Sequence, residues 1–167
     1  GDPEAMAVAR ARGVGVFEET VADGLTAAVM AAADRLARGG RGGMLVVPAD
    51  VPGITAHEIS HLLAAHHEGQ AFTIVPAHDR RGTNAIVVTP PAAVPLAYGP
   101  DSFTVHLERA RQAGLIPTVL SLPGLALDVD RPADCEALLR QGCGAKTLAC
   151  LRRQAEAIEQ GRDRFDG

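Results

Sequence analysis

Two short blocks near the middle of the chain place glycine close to a hydroxyl side chain, HDRRGTNA at residues 78–85 and YGPDSF at residues 98–103. Gly82 precedes Thr83, and Gly99 lies three residues before Ser102. Glycine lets a backbone approach a bound group closely, and hydroxyls with free N–H groups can then hold an anion. These blocks predict loops that hold an anion such as a phosphate.

Acidic residues follow two apolar runs on either side of these blocks. Asp50 ends the stretch MLVVPAD, and Asp128 and Asp130 lie two residues apart in LALDVD. Carboxylates at strand ends beside anion-binding loops indicate metal-assisted phosphoryl or nucleotidyl transfer. Local sequence fits a turn with Pro52 equally well for Asp50, and Asp130 could cap the next helix, which is compatible with a ligand role. Nothing in the sequence shows whether Asp50 lies near the later pair.

Two further positions have chemistry that suits a phosphorylated ligand. Arg81 carries a guanidinium that matches phosphate or carboxylate oxygens, although it could equally belong to a solvated turn. Gly24 opens an Ala-rich helix, whose first N–H groups could face a phosphate or a base. A plain helix start is the alternative there.

The histidine-rich stretch HEISHLLAAHH resembles a zinc-peptidase signature but lacks its turn. His57, Glu58 and His61 have H-E-x-x-H spacing, and His67 lies where the longer signature has a third ligand. Ala64 occupies the position that needs glycine, so the helix would carry His67 away from the other two. We interpret the stretch as a Thr55-capped helix with a solvated histidine face.

Composition sets limits on the class of protein. The chain has 167 residues, 47% of them apolar and 3% aromatic, with a net charge of −4 and dispersed basic residues. We expect one domain spanning residues 1–167, no nucleic-acid partner, no membrane partner because no apolar run approaches about 18 residues, and a cytoplasmic location. The three cysteines lack metal-site spacing and are expected to be reduced.

Alternating patterns predict the order of helices and strands. The predicted fold class is α/β, with a three-layer α/β/α sandwich around a mostly parallel sheet. The tail from Gly161 to Gly167 is expected to be frayed. The predicted helices cover residues 2–13, 24–38, 55–66, 102–113, a short segment after Asp130, and 145–160, and Ser102 is the predicted N-cap of the fourth. The predicted strands cover residues 14–17, 44–47, 71–75, 85–89, 118–122 and 126–129.

Four blocks in order, VPADVP, DRRGTNA, YGPDSFTVHLERAR and LPGLALDVDRPAD, resemble the 2-phospho-L-lactate guanylyltransferase family. That family includes phosphoenolpyruvate and 3-phospho-D-glycerate guanylyltransferases, and its members resemble GT-A-type nucleotidyltransferases. The resemblance covers roughly residues 2–139. It implies transfer of GMP from GTP to a phosphorylated three-carbon acid in the biosynthesis of coenzyme F-420, and it suggests a homodimer.

The resemblance also implies roles for particular residues. Asp50, Asp128 and Asp130 would hold magnesium, and Thr83, Gly99 and Ser102 would bind the phosphate or carboxylate of the acid. Gly24 and Leu25 would lie near the guanine nucleotide. The family usually has GLNAAL where this chain has GLTAAV, so Thr26 replaces an asparagine.

The family's first strand and its lysine-containing nucleotide loop correspond to positions before Gly1. We therefore expect a strand–loop–helix–strand segment to precede this sequence. A related nucleotidyltransferase with another acceptor, such as molybdopterin or a sugar phosphate, and a non-catalytic binding module are the alternatives.

Overall fold

In the computed structural model, residues 2–17 and 24–162 are described, and they form an α/β fold. A mixed four-stranded sheet has helices on both of its faces. The elements in chain order are α1 (Pro3–Ala11), α2 (Gly24–Arg38), β1 (Met44–Val46), α3 (Ala56–Ala64), β2 (Ala71–Pro76), β3 (Thr83–Thr89), α4 (Ser102–Gln112), β4 (Thr118–Val119), α5 (Pro123–Ala126), α6 (Pro132–Gln141) and α7 (Ala145–Arg162).

The sheet has the strand order β1-β3-β2-β4. β3 pairs antiparallel with both β1 and β2, whereas β2 pairs parallel with β4. Within the described residues, β1, β2 and β4 therefore run in one direction and β3 runs against them. The prediction of a mostly parallel sheet is not confirmed, because two of the three strand pairs are antiparallel. β2 and β3 are joined by the short loop 77–82, which suits an antiparallel pair.

Alternation along the two central strands divides the core into two layers. Phe72 and Ile74 of β2 pack with Ile86 and Val88 of β3 on the face covered by α2 and α4. On the opposite face, Val75, Ala85 and Val87 pack against α3 and α5. Both central strands are buried along almost their whole length, which explains their continuous apolar sequences.

Local capping signals account for several helix starts. The Asp2 carboxylate accepts hydrogen bonds from the N–H groups of Glu4 and Ala5, and Pro3 occupies the first helical position of α1. The Thr55 hydroxyl accepts the Glu58 N–H at the start of α3, as predicted. These caps satisfy N–H groups that have no partner within the helix.

Three local predictions were wrong. Residues 14–17 form no strand; instead the Phe17 ring lies 5.3 Å from the guanidinium of Arg35 on α2. Residues 126–129 form no strand either, because Ala126 is the last residue of α5 and residues 127–129 are not part of the sheet. Asp101, not Ser102, is the N-cap of α4. The tail from residue 163 onward lies outside the described residues.

Candidate functional site

The two glycine–hydroxyl blocks meet where α4 begins. The hydroxyl of Ser102, in the first turn of α4, donates to Thr83 Oγ1 at 3.2 Å. One helical turn later, His106 places Nδ1 at 3.0 Å from the same Thr83 oxygen. All three side chains are buried, with Thr83 at 5%, Ser102 at 3% and His106 at 0% exposure. The loop before β3 and the start of α4 thus form one hydroxyl cluster.

The hydrogen bonds of His106 define its tautomer. The Ala97 N–H donates to Nε2 at 2.9 Å, so Nε2 acts as an acceptor. Burial, with a smaller effect from the Arg109 charge, lowers the pKa of His106 to about 4, and the ring is neutral at pH 7. A neutral imidazole carries one hydrogen, which therefore lies on Nδ1 and is donated to Thr83.

This depressed pKa predicts acid-sensitive stability. Between about pH 6.5 and pH 4 the unfolded chain binds a proton at His106 that the folded chain does not, so the free energy of unfolding falls as the pH falls. At the acid end of this window, the loss in the free energy of unfolding is on the order of 3 kcal/mol. Denaturant titrations at pH 7, 6 and 5 measure this pH slope.

The variant His106→Asn should lose the contribution of His106 to the slope of unfolding free energy against pH. The variant His57→Asn, on the exposed surface of α3, should keep it. His66, whose pKa is lowered by burial and by the nearby His67, contributes in the same direction. An unchanged slope in His106→Asn would contradict the assignment.

The GPDS turn needs its glycine. Gly99 has φ of +147°, a conformation that favours glycine, and its carbonyl accepts the Ser102 N–H at 3.1 Å. Asp101 follows in the left-handed region with φ of +57°. The turn thereby directs the first residues of α4 toward Thr83.

Arg81 is tied to the start of α4 by two contacts. Its Nε donates to Asp101 Oδ1 at 2.8 Å, and its carbonyl accepts the Phe103 N–H at 3.0 Å. The Arg81 hydrogen bond lowers the pKa of the Asp101 carboxyl. Because both side chains are exposed, this ion pair adds little stability. It does hold a cationic side chain beside the hydroxyl cluster.

The start of α2 docks onto the second glycine block. The Tyr98 N–H donates to Thr26 Oγ1 at 2.8 Å, and the Thr26 hydroxyl lies 3.3 Å from the Tyr98 carbonyl oxygen. Gly24 and Leu25, both exposed, immediately precede this contact. The tertiary structure thus brings the first turn of α2 close to Gly99.

Asp128 is connected to β3 through Asn84. The Asn84 side-chain amide donates to Asp128 Oδ1 at 3.3 Å, and His78 Nδ1 lies 3.7 Å from the same oxygen. Asn84 is the neighbour of Thr83 along the chain, so the hydroxyl cluster and this carboxylate flank one end of β3. Both of these contacts use Oδ1 of Asp128.

Asp50 also reaches this region. The Val129 N–H donates to the Asp50 carbonyl at 2.9 Å, which joins the loop after β1 to the residue between Asp128 and Asp130. Asp130 is exposed, and its N–H donates to the Asp134 carboxylate at 3.1 Å, so Asp130 is not the N-cap of α6. The fold brings the three predicted acidic positions into one neighbourhood through backbone contacts.

These carboxylates do not form a ready-made cage for a metal. Within residues 2–17 and 24–162, no three His, Cys, Asp or Glu side chains come together as a metal-binding group. Magnesium, however, usually binds one or two carboxylates and completes its shell with substrate phosphates and water. Asp128 oriented by Asn84, with exposed Asp50 and Asp130 on adjoining backbone, fits that kind of site.

The H-E-x-x-H stretch has a structural role at Glu58. That carboxylate is buried and accepts the Gly124 N–H of α5 at 2.7 Å. His57 and His61 are exposed on α3, which confirms the predicted solvated histidine face. In the part of the chain that the structure describes, all three cysteines are free, as expected. No helix in that part is both long and apolar enough to cross a membrane.

Sequence reasoning missed three residues of this site. His106 was not singled out, although its i, i+4 spacing from Ser102 places both on one face of α4. Asn84 was given no role from the sequence, yet its side-chain amide donates to Asp128. Tyr98 connects the site to α2 through its backbone, a contact between distant segments that no local pattern signals.

Comparison with known proteins identifies one family. A family model described as "Guanylyl transferase CofC like" matches residues 3–163. A phosphoenolpyruvate guanylyltransferase of Rubrobacter xylanophilus is 37% identical over 142 residues, which is 84% of this chain and 68% of the relative. The same-named protein of Sphaerobacter thermophilus is 39% identical over 138 residues, with 82% of this chain and 65% of the relative covered.

A 3-phospho-D-glycerate guanylyltransferase of Colwellia psychrerythraea is also similar. It is 39% identical over 94 residues, covering 56% of this chain and 44% of the relative. The chain thus spans between 44% and 68% of the lengths of these three curated relatives.

Proposed function

Because this chain belongs to the CofC-like guanylyl transferase family, we propose that it transfers GMP from GTP to a phosphorylated three-carbon acid. The acceptor is phosphoenolpyruvate, 3-phospho-D-glycerate or 2-phospho-L-lactate, and pyrophosphate is released. The product would serve the biosynthesis of coenzyme F-420. The observation that carries this proposal is the hydroxyl cluster at the start of α4, adjoined by the start of α2 and by Asp128.

The reaction is a single in-line displacement. A phosphate oxygen of the acid forms a bond to the α-phosphorus of GTP, and the bond from that phosphorus to the bridging oxygen breaks. The leaving pyrophosphate carries away the electron pair. The phosphate nucleophile is already anionic, so the protein needs no general base. Its residues act by positioning and by electrostatic stabilisation.

We assign the acid to the hydroxyl side of the site. Thr83 would donate its hydroxyl hydrogen to a phosphate or carboxylate oxygen of the acid, Ser102 would line the same pocket while donating to Thr83, and the Gly99 backbone would lie against the acid. The Arg81 guanidinium would supply positive charge. The buried, hydrogen-bonded geometry of Thr83 and Ser102 supports this role.

We assign the guanine nucleotide to the first turn of α2, near Gly24 and Leu25. Helix N-terminal N–H groups favour anionic ligands. The contact between Thr26 and Tyr98 supports this assignment, because it brings the first turn of α2 next to the acid-binding loop.

We further propose that magnesium is held by Asp50, Asp128 and Asp130 together with phosphate oxygens of GTP. When bound, the ion would neutralise charge on the pyrophosphate leaving group. The hydrogen bond from Asn84 to Asp128 supports the proposal, since side chains that orient metal-binding carboxylates are a regular feature of such sites.

We propose a GT-A-like fold for the domain. Helices on both faces and three strands in one direction support it. A homodimer, a cytoplasmic location and the lack of nucleic-acid or membrane partners stay predictions from the sequence.

Mass spectrometry of the reaction tests the proposed function. The protein is mixed with GTP, magnesium and each of the three phospho-acids in separate tubes, and we expect a GMP adduct in one of them. The variant Asp50→Asn should not form it, whereas Asp34→Asn, on the exposed face of α2, should. Adducts only with molybdopterin or a sugar phosphate would identify a different acceptor. Ligand binding without any adduct would indicate a binding module.

A further inference from the structure

We infer that His106 is a positioning residue that turns the Thr83 hydroxyl hydrogen toward the acceptor acid. The inference deepens the proposed function and rests on it. His106 is fully buried in α4 and reaches the site only through its neighbours, so it has no direct role in substrate contact.

The contacts around His106 fix the position of the hydrogen on its ring. The backbone N–H of Ala97 donates to Nε2, so the neutral ring carries its hydrogen on Nδ1 and donates it to Thr83 Oγ1. The Tyr98 ring packs edge-on against the imidazole, with 5.1 Å between ring centroids and 70° between ring planes. These contacts hold the imidazole in one orientation.

The oxygen of the Thr83 hydroxyl has no free acceptor position. Its oxygen accepts from His106 at 3.0 Å and from Ser102 at 3.2 Å, which uses both acceptor positions of a hydroxyl. The one remaining group is the hydroxyl hydrogen, which must point away from both donors. A hydroxyl held in this way offers a donor and no acceptor, which suits a carboxylate or phosphate oxygen.

Two substitutions of His106 test the hydrogen bonds at Nδ1 and at Nε2 separately. The amide of His106→Asn can place a donor near the Nδ1 position and so keep the bond to Thr83. The longer amide of His106→Gln can place its oxygen near the Nε2 position, which keeps the Ala97 bond but removes the donor to Thr83. Both variants lose the ring contact with Tyr98, so their comparison isolates the bond to Thr83.

Steady-state kinetics of the full chain give the main test. We expect His106→Gln to raise KM for the acid about tenfold to a hundredfold, the range for a lost hydrogen bond to a charged group. KM for GTP should change less than about twofold, and His106→Asn should recover most of the acid KM. If instead both variants weaken the acid equally, or if KM for GTP rises in parallel, the inference is overturned.

A double-mutant cycle with Thr83→Val tests whether His106 acts through Thr83. Since the valine has no hydroxyl to orient, adding His106→Gln should change the acid KM by less than about twofold. If the effects of Thr83→Val and His106→Gln on the acid KM instead multiply in the double variant, the inference is contradicted. Melting temperatures of all variants identify any that fail to fold.

Nitrogen NMR of the unmodified protein provides a measurement that needs no variant. We expect His106 to carry its hydrogen on Nδ1 at neutral pH, and a hydrogen on Nε2 would overturn the inference. If no acid yields a GMP adduct, the proposed function fails separately. In that case, calorimetry measures the affinity of His106→Gln and His106→Asn for phosphoenolpyruvate. Equal affinities of the two variants would overturn the inference.

Discussion

The variant Asp128→Asn is expected to lower kcat on the order of a hundredfold or more, while the fold stays intact. The substitution preserves the size of the side chain and removes only its negative charge. Asn84 donates to Asp128 Oδ1, so the carboxylate is held in a defined orientation beside the end of β3. Steady-state kinetics with GTP and the acid that yields an adduct measure the loss.

A control on the same reaction distinguishes this effect from a general change in charge. Asp34→Asn removes one exposed carboxylate from α2 and should leave kcat within about twofold, because exposed charges far from a site act weakly. A magnesium titration should show a higher magnesium requirement in Asp128→Asn. Unchanged kcat and an unchanged magnesium requirement would remove Asp128 from the proposed metal site.

The variant Gly124→Ala is expected to destabilise the protein by about 2–3 kcal/mol or to prevent folding. A methyl group there would collide with the Gly53 carbonyl and with the Glu58 carboxylate, which also accepts the Gly124 N–H. The Gly53 carbonyl belongs to the backbone and cannot move aside cheaply. Thermal unfolding should show a melting temperature lower by roughly 5–10 °C.

Gly42→Ala is the matched control. A methyl group at Gly42 meets nothing within 4 Å, so the melting temperature should change by no more than about 2 °C. Because α5 leads directly into Asp128, any folded Gly124→Ala protein should also lose activity. A melting temperature equal to that of the control would show that the contact between α5 and Gly53 relaxes without penalty.

Local chemistry determined the starts of α1 and α3 and most of the strands. Asp2 and Thr55 cap their helices with their own side chains, and a single residue with its three successors is enough to specify such a cap. The apolar runs that became β2 and β3 were predictable because both strands are buried on both faces. Glycine beside a hydroxyl also identified the two loops that meet at Thr83 and Ser102.

The tertiary structure alone decided which way Thr83 and Asn84 face. Strict alternation would place Thr83 on the face of Ala85 and Val87, away from α4. The register between β2 and β3 instead shifts at Val75 and Pro76, where Val75 pairs with Ala85 but Pro76 pairs with Thr83. The irregularity lets Thr83 bond to His106 of α4.

Contacts between distant segments completed the site. Asp50 meets Val129 through a backbone hydrogen bond across 79 positions of sequence, and Thr26 meets Tyr98 across 72. Caps, turns and periodicity are properties of neighbouring residues, so the sequence by itself determined the elements and the candidate side chains. Strand pairing and helix docking depend on the packing of the whole core, so only the tertiary structure decided which of those side chains share a site.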